Sequence, residues 1–236
     1  IIDNVFHGGP DDGLDLDGAD ALVDGNVFMN FRKANSGTGD AHAISTGLYE
    51  GRISDLTIVR NLFVDNEHAL LMKEGAVALV ENNTFVRSLL GTVNFAEVQR
   101  GTFPPDDLVM RQNIIWNSPL FRNLDVAQSL NPNLKPTVEN SLVFPSVAGV
   151  PDGNLLLDPL FMNPIFDFRL RPESPAIGVG KDGVDLGAFI GAGVRIAGEP
   201  SLITSRRSAL LTVSGIAISE YRYRVNNGEY GLATAI

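Results

Sequence analysis

The feature that most restricts this chain is a short pattern that keeps returning: β-branched or apolar residues, then Asn, then an apolar pair. It reads IIDNVFHG around Asn4, LVDGNVFMN around Asn26 and TIVRNLFVDN around Asn61. It returns as LVENNTFVRS around Asn83, VMRQNIIWNS around Asn113 and TVENSLVFPS around Asn140. Successive Asn residues lie 22, 35, 22, 30 and 27 positions apart. Between them sits a second strand-like run: GLDLDG, HAISTG, HALLMKEG, GTVNFAE. Within the runs the alternation has period two, as in Leu14 and Leu16 against Asp15 and Asp17. A unit this short cannot bury its own apolar face, so copies must stack. The pattern predicts an all-β chain wound as a parallel β-helix, a solenoid with about 22 residues in its shortest coil. NFRKANSGTGD and VQRGTFPPDD read as loops inserted into longer coils. No amphipathic helix is expected before residue 140. The recurrent Asn is given two tasks: the left-handed corner, and a side-chain amide bond to the next coil.

The rest of the chain changes character. Residues 151–190 are rich in Pro and Asp and lack the Asn motif, and are read as the closing coils of the same solenoid. Residues 191–199 read as linker. Residues 200–236 carry SEYRYRVNNGEYG, in which Tyr221, Tyr223 and Val225 alternate before Asn-Asn-Gly. That is a hairpin signal, taken as the start of a β-sandwich module of Ig-like type. The chain opens Ile1-Ile2 without Met and reads as cut from a longer protein.

Composition narrows the partners. The 236 residues carry a net charge of −10, against nucleic acid and anionic membrane surfaces as partners. There is no Cys, which removes disulfides, thiolate zinc sites and a Cys nucleophile. No run of apolar residues is long enough to span a membrane. No phosphate loop, Ser-His-Asp order or nucleotide fingerprint is present. The negative charge is densest in GGPDDGLDLDGADALVDGNVF, residues 8–28. Asp15 and Asp17 point to one face of a strand, with Asp11 and Asp12 in the turn before it. Either these carboxylates converge on a hard cation, for which calcium's six to eight oxygens are suited, or they cap turns and face water.

The Asn repeat over residues 1–145 resembles right-handed parallel β-helix proteins, the architecture of pectate lyases, chondroitinase-B-like lyases and many secreted bacterial surface proteins. DPLF, SPAIGVG and DLGAF, between 158 and 189, resemble an ending common to secreted members. The last 37 residues, 200–236, resemble modules appended to extracellular bacterial proteins, which implies a secreted or cell-surface location. DDGLDL, Asp11 to Leu16, is similar to the Asp-Asp-Gly-x-Asp-Leu motif of family-nine pectate lyases. That resemblance implies calcium ligands at Asp11, Asp12 and Asp15, to which the strand geometry adds Asp17. It also implies a lysine base, whose first counterpart on a matching strand is Lys73.

Stacking the coils in register sets Asp15 and Asp17 beside Asp40 and His42, then His68, Lys73 and Glu74, then Asn94 and Glu97. A wall of this kind fits an acidic polysaccharide. Lys73 or His42 would remove the proton α to a uronate carboxylate and β-elimination would follow. Arg52, His68, Glu74 and Asn94 would contact the sugar, with Arg32 and Arg87 as further carboxylate partners. Trp116 and Phe121 stand as a sugar platform or as core. Zinc at the histidines lacks converging ligands. The expected function is thus a calcium-binding, lyase-like enzyme on a uronate glycan. The alternatives are a glycan-binding or adhesion spacer without catalysis, and a glycoside hydrolase using Asp12, Asp15, Asp40 or Glu74.

Overall fold

The computed structural model describes residues 1–33, 40–95, 103–147 and 149–188. Beyond these it describes 195–197, 212–214, 220–221, 228–229, 231 and 234–235. The chain divides into two compact units, Ile1–Phe189 and Ile190–Ile236.

The first unit is built on three parallel sheets. One holds β1 (Val5–Gly9), β4 (Val27–Phe31), β9 (Leu62–Val64), β12 (Thr84–Val86), β15 (Ile114–Trp116) and β18 (Leu142–Phe144), in that order. The second holds β2 (Leu14–Asp15), β5 (His42–Ser45), β10 (His68–Met72), β13 (Gly91–Phe95) and β16 (Phe121–Arg122). The third holds β3 (Asp20–Asp24), β8 (Asp55–Val59), β11 (Val77–Glu81), β14 (Asp107–Arg111) and β17 (Thr137–Glu139). The chain visits first, second and third sheet in turn, then returns to the first one strand further along. Residues far apart in sequence therefore become strand neighbours about 4.8 Å apart.

Each sheet sends alternate residues to one core. Phe28, Phe63, Phe85, Ile115 and Val143 come from the first sheet, Ile44, Leu70 and Val93 from the second, and Leu56, Ile58, Val80, Leu108 and Met110 from the third. Phe6, Phe28, Phe63 and Phe85 stack face to face with centroids 4.8, 5.0 and 4.8 Å apart, because parallel register puts one Phe directly over the next.

The Asn repeat forms a ladder. Backbone N–H groups of Asn4, Asn26, Asn61 and Asn83 donate to the side-chain oxygens of Asn26, Asn61, Asn83 and Asn113 at 2.8–2.9 Å. Two details correct the sequence reading. Asn140 is not a rung. The Asn113 N–H donates to Ser141 Oγ, and the Ser141 N–H to Asn154 Oδ1, so the ladder ends on Ser141 and Asn154. The left-handed corner also belongs to the residue before each rung: Asp3, Gly25, Arg60, Asn82, Gln112 and Asn140 have positive φ. The two tasks assigned to one Asn are divided between consecutive positions.

Three further expectations are revised. A helix, α1 (Leu124–Leu130), follows β16 and buries Ala127. At two turns it is too short to show a periodic apolar stripe. Residues 158–188 add no strand to the three parallel sheets. Phe161, Phe168, Ala176 and Leu186 pack with Val64, Val86, Ile114 and Leu142 in a second core, across the face of the first sheet that points away from the main core. The hairpin β19 (Phe161–Asn163) with β20 (Asp167–Leu170) sits there, and Trp116 belongs to this core, edge-on to Phe161 at 5.8 Å. In the second unit, β21 (Arg195–Ala197) pairs antiparallel with β22 (Thr212–Ser214), so a strand lies within the stretch read as linker. β23 (Glu220–Tyr221) pairs antiparallel with β24 (Thr234–Ala235). Most of the expected hairpin, 222–227, lies outside the described residues. Among the described residues no helix is long and apolar enough to cross a membrane.

Candidate functional site

The second sheet gathers the residues singled out from the sequence. Its register sets Asp15, Ser45, Leu71, Asn94 and Arg122 in one row across five strands. His42 and His68 share a second row with Gly91. Asp12 joins that row through hydrogen bonds to the His42 backbone at 3.1 Å and to its ring Nδ1 at 2.9 Å. In a third group the Lys73 ammonium lies 3.3 Å from Asp17 and 3.8 Å from Glu74. Asp17 and Lys73 are 56 positions apart in sequence. The single expected column is thus three parallel ones, because the acidic turn and the strand carry their carboxylates to different levels.

The histidine level is a closed hydrogen-bond chain. Asn123 Nδ2 donates to Asn94 Oδ1 at 2.8 Å, and Asn94 Nδ2 stands 3.2 Å from His42 Nε2. An amide N–H can only donate, so Nε2 accepts and Nδ1 carries the proton given to Asp12. Both ring nitrogens of His42 are occupied, and the side chain is 1% exposed. The His42 ring stacks on His68 with centroids 5.2 Å apart. His68 bonds the Gly91 carbonyl at 3.2 Å, and its other nitrogen faces Arg122 at 3.5 Å and Asp40 at 3.5 Å. Burial, and then the neighbouring His42, push the His68 pKa down to about 4, so its ring is neutral near pH 7. Arg122 is tied to Asp40 at 3.6 Å. Sequence reasoning missed Arg122 and Asn123. Their signal was the spacing of RN after SPLF, one strand of the sheet beyond NF at Asn94.

Asp12 shows two opposed effects. Burial works to raise its pKa, and the hydrogen bonds it accepts from the His42 ring and backbone outweigh it, leaving the carboxyl below its ordinary value. Asp15 moves the other way: burial first, then the like charge of Asp17, raise it.

The remaining candidates lie elsewhere. Asp11 is exposed in the turn before β2. Arg52 is on the exposed hairpin β6 (Leu48–Tyr49) with β7 (Arg52–Ile53), outside the second sheet but against the Asp17 turn. The Arg52 carbonyl would lie 3.0 Å from a Cβ at Gly18. Glu97 falls outside the described residues. Arg32 and Arg87 are bound to Asp65, and Arg87 also reaches the Pro164 carbonyl at 2.7 Å. Both are fastening groups of the second core's edge rather than members of this wall.

As placed, the four aspartates expected to hold calcium have separate surroundings. Asp12 is committed to His42 and Asp17 to Lys73, and among the described residues no three His, Asp or Glu side chains are arranged to hold a metal ion. The arrangement offers instead an amine between two carboxylates, with a carboxyl of raised pKa beside it. Compared with protein-family models, with curated proteins and with solved structures, the chain finds no match.

Proposed function

We propose that the three sheets are the walls of a right-handed parallel β-helix, a solenoid of secreted or cell-surface type, and that the second wall acts on a uronate-containing polysaccharide by β-elimination. The observation that carries the reading is the Lys73 ammonium standing 3.3 Å from Asp17, which lies two residues after Asp15 at the end of β2. It supports the placing of a basic group and an acidic motif at one spot from opposite ends of a 56-residue interval. His42 is the weaker base candidate, since Asn94 and Asp12 occupy its two nitrogens.

In the proposed reaction the Lys73 amine, in its neutral form, takes the proton from the sugar carbon α to the carboxylate. The electron pair forms the double bond to the neighbouring carbon, the glycosidic C–O bond breaks, and the leaving oxygen acquires a proton from solvent. Arg52 and Glu74 are the proposed sugar contacts, and the buried His68 and Asn94 the floor beneath them. No step runs through calcium. A calcium requirement is a separate proposal that rests on the acidic motif alone.

The test is a screen on uronate polymers, with and without EDTA, following the absorbance of the unsaturated product. Product from the wild type and none from Lys73→Ala supports the reading. Product unchanged in Lys73→Ala removes the base. Product undiminished by EDTA removes calcium. A second reading is favoured by Asp15, whose raised pKa suits a proton donor in glycoside hydrolysis. New reducing ends without new ultraviolet absorbance would select it.

A further inference from the structure

Lys73 reaches Asp17 across an intervening strand. β2 and β10 are not neighbours: β5 lies between them, and the residue that follows the end of β5 at this level is Gly47. A Cβ built on Gly47 would fall 2.4 Å from Asp17 Oδ1, 2.8 Å from Asp17 Cγ and 2.8 Å from Glu74 Oε2. Both carboxylates that flank the Lys73 ammonium therefore occupy the space a side chain at 47 would need. Gly47 is not held for its backbone. Its φ lies outside the left-handed region, so any residue could adopt the conformation. Its main chain is also clamped: the N–H donates to Ser54 Oγ at 2.9 Å, and the carbonyl accepts from Gly18 N at 3.1 Å and from Ser54 N at 3.0 Å. With the main chain held, a methyl group at 47 would displace the two carboxylate tips.

We infer that Gly47 is a positioning residue for Lys73: its missing side chain is the slot in which Asp17, Glu74 and the Lys73 amine meet. The role rests on the β-elimination reading for its catalytic meaning, and on the geometry alone for the meeting of the three groups. Glycine just past a strand end, marking a close approach rather than a turn, is the pattern seen here.

The experiment compares wild type, Gly47→Ala, Asp17→Asn and the pair Gly47→Ala with Asp17→Ala. Reductive methylation of Lys73, followed by mass spectrometry, reads the amine without reference to activity. Gly47→Ala is expected to speed labelling of Lys73 several-fold, as Asp17→Asn does, while other lysines label as before. On a uronate polymer that the wild type cleaves, Gly47→Ala is expected to lower kcat tenfold or more with KM within about twofold. If Gly47→Ala does not fold, the pair with Asp17→Ala is expected to fold, because the nearer of the two obstructing carboxylates is gone. Labelling of Lys73 unchanged in Gly47→Ala, or loss of folding in both Gly47→Ala and the pair, overturns the inference. Wild type inactive on every uronate polymer, with labelling behaving as expected, overturns the proposed reaction and leaves the positioning intact.

Discussion

The Asn ladder makes a quantitative demand on stability. Asn61 is fully buried and its side chain takes part in five hydrogen bonds. Its oxygen accepts from the Asn26 backbone N–H at 2.8 Å and from the Asn26 amide at 3.0 Å. Its amide donates to the Val23 carbonyl at 2.8 Å, the Val59 carbonyl at 2.9 Å and the Asn83 oxygen at 3.0 Å. Asn61→Ala removes all five and leaves buried donors and acceptors in three circuits of the chain. At about 1 kcal/mol net per bond, the loss is roughly 4–5 kcal/mol. That is a large share of the ~5–15 kcal/mol that holds a domain together. Asn4→Ala is the internal control. Asn4 is exposed, at the end of the ladder, and its amide donates only to Ile2 O and Asn26 Oδ1. Its loss is expected to cost about 1 kcal/mol or less. Urea unfolding of the two variants, with the m-value checked for constancy, measures the difference. Equal costs for the two, or a cost below about 1 kcal/mol for Asn61→Ala, would refute the claim that the ladder's buried bonds hold neighbouring circuits in register.

Two further outcomes follow from the same contacts. His68 is fully buried with its pKa lowered to about 4 from 6.5. The unfolded chain therefore binds the proton first, and the stability present above pH 6.5 is lost as pH falls from 6.5 toward 4, by up to roughly 3 kcal/mol. Asp12, lowered from 3.8, adds a loss below that value. Denaturant midpoints between pH 7 and 4 check it, and His68→Gln should flatten the upper part of the profile. Gly187 has φ +87°, and a Cβ there would meet Thr84 Oγ1 at 2.6 Å and Ile114 Cδ1 at 2.7 Å. Gly187→Ala is expected to lift residues 158–188 off the first sheet and lower Tm by several degrees, whereas Gly183→Ala, with open space around it, should lower it less.

How much of this was legible in the sequence depends on the level. The stacking itself was, because LVDGNVF, VRNLF and VENNTF repeat a strand end, a corner and a strand start. The slip from Ser141 to Asn140 arose because the last copy reads ENS where the others place Asn directly before the apolar pair. The second core was signalled and overlooked. Leu62-Phe63-Val64 and Ile114-Ile115-Trp116 are continuous apolar runs, which belong to strands covered on both faces rather than to a wall with one side in water. The covering layer, Phe161 to Leu186, shares no pattern with them, so its partner could not be read locally. Coil stacking put Asp17 and Lys73 on one wall two strands apart, and their direct ion pair across the intervening strand was not foreseen. Nor was the commitment of Asp12 to His42, since it depends on a turn placing a carboxylate one level above the strand. Gly47 was invisible as a functional residue, because its meaning lies in two side chains 30 positions before it and 27 after it.

The most direct test of the account is a crystal structure of Lys73→Ala with an unsaturated-end-free oligouronide bound. The account predicts density for the sugar lying along the second sheet, with a carboxylate-bearing ring beside Asp15 and the vacated Lys73 side chain. An oligouronide bound on the first or third sheet, or strands of the second sheet paired in another order, would contradict it.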